Sequence, residues 1–235
     1  MKLEQKSGDV ARRAAVHAAL GDPARVQMVD ALALGDRSPG ELGSLLRLPT
    51  NLLAHHLNVL ERVGAVARTR SEHDRRRTYV RLVPGALAGV AAVPSAVADR
   101  LAELTDGRVV FACTANSARS QLAAASWRQL TGGEAASAGT EPADRVHPGA
   151  VAAARRHGLD LGGASTARLD DVLTAEDLLV AVCDHAYESL HRTPARGLVH
   201  WSVADPVPLN SLEAFDAAFS DIVGRIRHLA ARSTT

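Results

Sequence analysis

In the first third of the chain apolar positions recur every three or four residues; in the second half they bunch into short solid runs separated by helical stretches. Val10 to Leu20 has helical spacing and stops at Gly21. Asp22 is then an N-cap with Pro23 at the first helical position, opening a helix to about Leu34. Ser38-Pro39-Gly40-Glu41 repeats that start with a capping-box glutamate and predicts a short helix through about Leu46. Pro49-Thr50-Asn51 introduces another helix to about Val63, before Gly64. The helices from Ser38 and Thr50, joined by the tight Arg47-Leu48-Pro49 connection, predict a helix-turn-helix. After Gly64 the period changes: Ala65–Arg70 and Arg77–Leu82 read as two strands around the polar loop Ser71–Arg76, a β-wing with a basic tip.

Pro84 to Gly107 is rich in Ala, Val and Gly, with a helix expected from Pro94 to Leu104; its apolar content favours packing, as a linker or dimer-forming helix, over a floppy tether. Beyond it, apolar runs at Val109–Ala112, Leu178–Val182 and Leu198–Trp201 alternate with helical patterns at Gln121–Leu130, Pro148–His157 and Leu212–Ala230. That alternation predicts an α/β domain in three layers around a mainly parallel sheet. The expected division is therefore a winged helix-turn-helix at 1–84, a linker or dimerisation helix at 85–106, and the α/β domain at 107–235.

Charge sharpens that division. Residues 1–84 carry 14 Lys/Arg and 9 Asp/Glu, whereas the remainder carries 13 and 17, so a basic front part precedes a mildly acidic one. Only the first part is expected to meet DNA. Absence of a signal-peptide pattern and of any apolar stretch long enough to span a bilayer predicts a cytoplasmic protein without membrane contact. Two cysteines, Cys113 and Cys183, leave no disulfide framework and no four-cysteine metal site; no metal and no bound cofactor are expected. The adjacent His55 and His56 point about 100° apart on a helix, a poor metal pair.

The chemistry concentrates in Cys113-Thr114-Ala115-Asn116-Ser117-Ala118-Arg119-Ser120, which follows the apolar run Val109–Ala112. A cysteine attacks as its thiolate, and positive charge or inward-pointing donors favour that form. Between a buried strand and a helix N-terminus, the residues from Thr114 to Arg119 form a nest whose amides cradle a tetrahedral oxyanion. Arg119 adds a planar fork for phosphate-like oxygens, and Ser120 is placed to donate its hydroxyl to the thiolate. The plainer alternative is a buried, inert cysteine followed by a solvated arginine.

Three segments of the first part resemble the winged helix-turn-helix of the ArsR family of bacterial repressors. They are Ala18-Ala19-Leu20-Gly21-Asp22-Pro23-Ala24-Arg25, His55-His56-Leu57-Asn58-Val59-Leu60-Glu61, and Asp74-Arg75-Arg76-Arg77 with Tyr79. The resemblance implies that the helix from Thr50 enters the major groove, with Thr50, Asn51, Ala54, His55 and Asn58 contacting bases or phosphates. It also implies that wing arginines Arg75, Arg76 and Arg77 track phosphates, and that the protein binds DNA as a homodimer. The cysteines through which many members sense metals are missing here.

The second part resembles the low-molecular-weight protein tyrosine phosphatases and the arsenate reductases that share their fold. The resemblance rests on Cys113 through Ser120, Ser137-Ala138-Gly139-Thr140, His147-Pro148, His157-Gly158-Leu159-Asp160, Val180-Ala181-Val182-Cys183-Asp184 and His200-Trp201-Ser202-Val203-Ala204-Asp205-Pro206. It implies that Cys113 is the nucleophile, that Arg119 and the loop amides bind the oxyanion, and that Asp205 is the general acid. Cys183 stands where thioredoxin-linked reductases carry a second cysteine, and Leu190 where they carry a third. Ala115 and Ala118 replace a common glycine and a frequent cysteine. A three-cysteine relay is thus excluded, and Cys183 is either a resolving thiol or core packing.

Arsenate reduction would then need a low-molecular-weight thiol or a thioredoxin- or glutaredoxin-like reductant as co-substrate. Phosphotyrosine hydrolysis is the competing activity, against which Val207-Pro208-Leu209 offers no aromatic grip. A repressor with a non-catalytic oxyanion or redox sensor is the third reading.

Overall fold

A computed structural model describes residues 2–87, 99, 102–190 and 193–230, with side chains from Val10 onward. The chain divides into two compact units: Met1–Arg70 with Arg76–Val97, and Ala98–Thr235 together with the short segment Ser71–Arg75.

The first unit runs α1 (Lys2–Ala19), α2 (Pro23–Ala33), α3 (Pro39–Leu46), α4 (Thr50–Arg62), β1 (Val66–Arg70) and β2 (Thr78–Leu82). Its helix starts are those the sequence spells out. Asp22 Oδ1 accepts from the Ala24 amide at 2.8 Å. The Ser38–Glu41 capping box closes with both bonds, 2.6 and 3.2 Å. Arg47 ends α3 in the left-handed region, φ 54°, which turns the chain tightly into α4. Met28, Leu32, Leu42, Leu53, Leu57, Leu60, Val66 and Val80 form the core. β1 and β2 pair antiparallel, Val66 opposite Leu82. The first helix begins well before Val10, in a polar stretch where apolar spacing gives no signal.

The expected helix from Pro94 to Leu104 lies largely outside the described residues, although 102–105 are helical.

The second unit holds a four-stranded parallel sheet in the order β4-β3-β5-β6, built from β3 (Val109–Cys113), β4 (Ala135–Gly139), β5 (Leu178–Ala181) and β6 (Gly197–His200). The helices are α5 (Arg119–Thr131), α6 (Pro148–Arg156), α7 (Leu169–Val172), α8 (Asp184–Ser189) and α9 (Leu212–Ala230). Phe111 meets the rings of Trp127 and Trp201 at 6.0 and 5.8 Å. On the opposite face Val110 and Ala112 pack with Ala138, Leu169 and Leu179. This double-sided burial is why β3 reads as an unbroken apolar run.

The chain leaves β3 for β4 on one side and returns to β5 on the other, which makes the carboxyl end of β3 a topological switch point. Cys113 is the last residue of that strand, where ligands bind in open α/β sheets.

Candidate active site

The loop after Cys113 is held from outside by its own carbonyls. Those of Cys113, Thr114, Ala115 and Ser117 accept from the amides of Thr140, Glu141, Ala143 and His147 at 2.9–3.1 Å. The peptide bonds of the described residues are all trans, so in each such unit the N–H points away from the carbonyl. The amides of Thr114, Ala115, Asn116 and Ala118 are therefore turned toward the other side of the loop. What shapes the loop is the downstream segment from Thr140 to His147, whose amides hold its carbonyls outward.

Asn116 makes the sharp bend with φ 50° and is buried. Its Oδ1 accepts from the Ala167 amide at 2.8 Å, while its Nδ2 donates to Ser120 Oγ at 2.9 Å. The amide orientation is thus fixed by its partners. With one lone pair of Ser120 Oγ so occupied, its hydroxyl proton is available to Cys113 Sγ, 3.1 Å away. Gln121 Nε2 donates to the carbonyls of Asn116 and Ser165, clamping the loop to the chain ahead of α7. Gly139 lies against it so closely that a Cβ there would stand 2.6 Å from the Thr114 carbonyl oxygen.

Arg119 opens α5 and is buried. Nη1 donates to the Val203 carbonyl at 3.0 Å and to Glu72 at 3.3 Å, and Nη2 lies 3.0 Å from Asp205 Oδ2. Burial works against its charge, but Cys183, Asp205, Cys113 and Glu72 outweigh that and strengthen its hold on the proton. Cys183 caps α8, its Sγ accepting from the Ala186 amide and lying 3.6 Å from Thr114 Oγ1. Burial pushes the Cys183 thiol up, with Arg119 opposing.

Cys113, Thr114, Ala115, Ser117, Ala118, Arg119, Cys183 and Asp205 all line one cavity of about 310 Å³. Asn116 and Ser120 stand behind it as its support. The cavity also takes in Asp184 and Val207, and with them Glu72, His73 and His185, to which the sequence pattern gives no role at the site. Asp184 is buried beside His200, 3.0 Å from its Nε2. Burial would raise its carboxyl, but bonds from His200, the Glu72 amide and Ser202 outweigh this and hold it low.

The other candidate residues lie on α4. Thr50, Asn51, Ala54, His55 and Asn58 are exposed along one face, while Leu53, His56, Leu57 and Leu60 face the core. His56 Nδ1 lies 3.4 Å from an Arg25 nitrogen, away from the exposed His55 face. Asn58 Oδ1 accepts from Arg68 at 3.0 Å, tying the helix to β1. Arg75, Arg76 and Arg77 are exposed. No helix among the described residues is long and apolar enough to cross a membrane.

Residues 108–234 match the low molecular weight phosphotyrosine protein phosphatase family, and residues 22–68 match the bacterial regulatory protein, arsR family. An arsenate reductase of Brevibacillus brevis is 36% identical over 126 residues, 52% of this chain and 92% of the relative. One from Halalkalibacterium halodurans is 37% identical over 102 residues, covering 42% and 73%. One from Bacillus subtilis is 35% identical over 115 residues, covering 47% and 82%.

Proposed function

Because the chain belongs to the low molecular weight phosphotyrosine protein phosphatase family and carries an arsR-type helix-turn-helix ahead of that domain, we propose that it is a DNA-binding regulator fused to a thiol-dependent arsenate reductase. The observation that carries the choice of arsenate is a second cysteine, Cys183, lining the same cavity as Cys113 and Arg119. Hydrolysis of a phosphoester needs one thiol; reduction of arsenate needs two electrons, and so two thiols.

Cys113 Sγ attacks arsenic, an arsenate oxygen leaves as water after taking a proton from Asp205, and a sulfur–arsenic bond remains. Arg119 and the loop amides hold the remaining oxygens, fixed before the reaction starts. A second thiolate, that of Cys183, then attacks Cys113 Sγ. The S–As bond breaks with its electron pair passing to arsenic, which departs as arsenite, and the two sulfurs are left as a disulfide. Leu190, where a third cysteine would be required, packs instead against the core under α7. An external low-molecular-weight thiol or thioredoxin- or glutaredoxin-like protein therefore reopens the disulfide.

The exposed face of α4 reads the major groove, and Arg75–Arg77 follow phosphates; a homodimer would place two such helices about 34–36 Å apart on successive half-sites. A reducing cytoplasm suits two free cysteines.

The test gives the purified chain arsenate with and without thiol and, separately, an aryl phosphate. Thiol-dependent arsenite release is expected. Phosphate release with no demand for thiol would instead make it a phosphatase; no turnover of either, with arsenate altering operator binding, would leave a sensor.

A further inference from the structure

Among the described residues, Arg119 is the only side-chain cation on the cavity wall apart from the imidazoles of His73 and His185, and its fork is already engaged. Asp205 holds Nη2 at 3.0 Å and Glu72 holds Nη1 at 3.3 Å. Asp205 must carry a proton to act as an acid. Glu72 has no such role in the reaction, and a carboxylate beside the one guanidinium that must grip a dianion opposes it by charge and by occupancy.

The segment that carries Glu72 is built in. Ser71 is buried and its Oγ donates to Glu188 at 2.7 Å. The Glu72 amide donates to Asp184 Oδ2 at 2.9 Å. The His73 ring stacks on His185 with centroids 4.1 Å apart. Both Glu72 oxygens also accept from the Asp205 amide, at 3.0 and 3.1 Å, so the same carboxylate restrains the loop that presents the acid.

We propose, resting on the oxyanion-site reading above, that Glu72 is an internal competitor for that site, and that a tetrahedral dianion displaces its carboxylate from Arg119 before it can be held. Residue 72 thereby sets oxyanion affinity, and occupancy of the site loosens Ser71–Arg75. The two events are linked, so each weakens the other by the same factor.

The experiment titrates inorganic phosphate calorimetrically into the reduced full-length chain, wild type against Glu72→Gln and Glu72→Ala. Glutamine keeps the size of the side chain and the amide bond to Asp184 but removes the charge. About tenfold tighter phosphate binding is expected for both variants, within the usual range of such couplings. In the wild type, saturating phosphate should also speed tryptic cleavage after Arg75. A side chain with a merely structural role would give weaker binding on substitution. Equal or weaker phosphate affinity in both variants, or cleavage indifferent to phosphate, overturns the role of Glu72 and leaves the oxyanion site standing. If no form of the protein binds phosphate, both fall together.

Discussion

Gly139→Ala probes the loop without touching a reacting group. Gly139 ends β4, and a Cβ on it would stand 2.6 Å from the Thr114 carbonyl oxygen and 3.0 Å from both N and Cβ of Asn116. Carbon and carbonyl oxygen rest no closer than about 3.3 Å, so the two must part by about 0.7 Å. The Thr114 carbonyl is also tied to the Glu141 amide, and Asn116 is pinned through Ala167 and Ser120. The displacement therefore passes into the amides that line the nest. Overpacking of this kind costs about 1–3 kcal/mol of stability, or a fall in melting temperature of about 2–4 °C per kcal/mol for a chain of this size. Misplacing a catalytic array by an ångström costs about a hundredfold in rate. Gly139→Ala should thus stay folded at 25 °C and lose roughly thirty- to a hundredfold in kcat/KM, read as arsenite release beside a thermal melt. Activity within twofold of wild type would show that the loop is not shaped by its packing against β4.

Cys183→Ser should abolish thiol-driven arsenite release while leaving the first chemical step intact, seen as formation of the Cys113 adduct by mass spectrometry; unimpaired arsenite release would return Cys183 to the core. Arg108 Nε and Nη2 hold both oxygens of Asp177 at 2.7–2.8 Å and bring its carboxyl down to about 2. A carboxyl lowered by folding stabilises above its unfolded value near 4 and ceases to as pH falls through about 2, so Asp177→Asn should flatten the acid side of the stability profile between those values. Arg108 is 34% exposed, and screening trims the full effect to about 1–2 kcal/mol at neutral pH; an unchanged acid limb would rule the pair out as a contributor. Neutralising Arg75, Arg76 and Arg77 should weaken DNA binding and lower its salt slope by about 0.9 for each phosphate no longer neutralised, measured by anisotropy at several salt concentrations. Undiminished binding at low salt would remove the wing from the interface.

Helix starts in the first unit were legible because Asp22, Ser38 and Glu41 act on backbone donors within three residues of themselves. So were β3 and β5, whose burial makes unbroken apolar runs; β6 is buried only at Val199 and His200 and shows a shorter signal. β4 was not. Ala135–Gly139 holds Ala, Ser and Gly without a branched residue and so makes no apolar run, and at its end Gly139 meets the loop too closely for any side chain. α7 and α8, four and six residues long, are too short to show a period.

At the site, Cys113, Arg119 and Ser120 follow one another closely along the chain, and their local spacing announces them. The bonds that give the loop its shape come from Thr140 to His147, and Glu72 reaches Arg119 across 47 residues of sequence and Asp205 across 133. Partners at such separations leave no local pattern.

The most direct measurement is arsenite released from arsenate by the purified chain in the presence of a thiol reductant, wild type against Cys113→Ser. Serine keeps the loop and its hydrogen bonds but offers no thiolate to arsenic. Arsenite from the wild type and none above background from Cys113→Ser is the expected result; equal release from both would contradict the assignment of Cys113 as the nucleophile of an arsenate reductase.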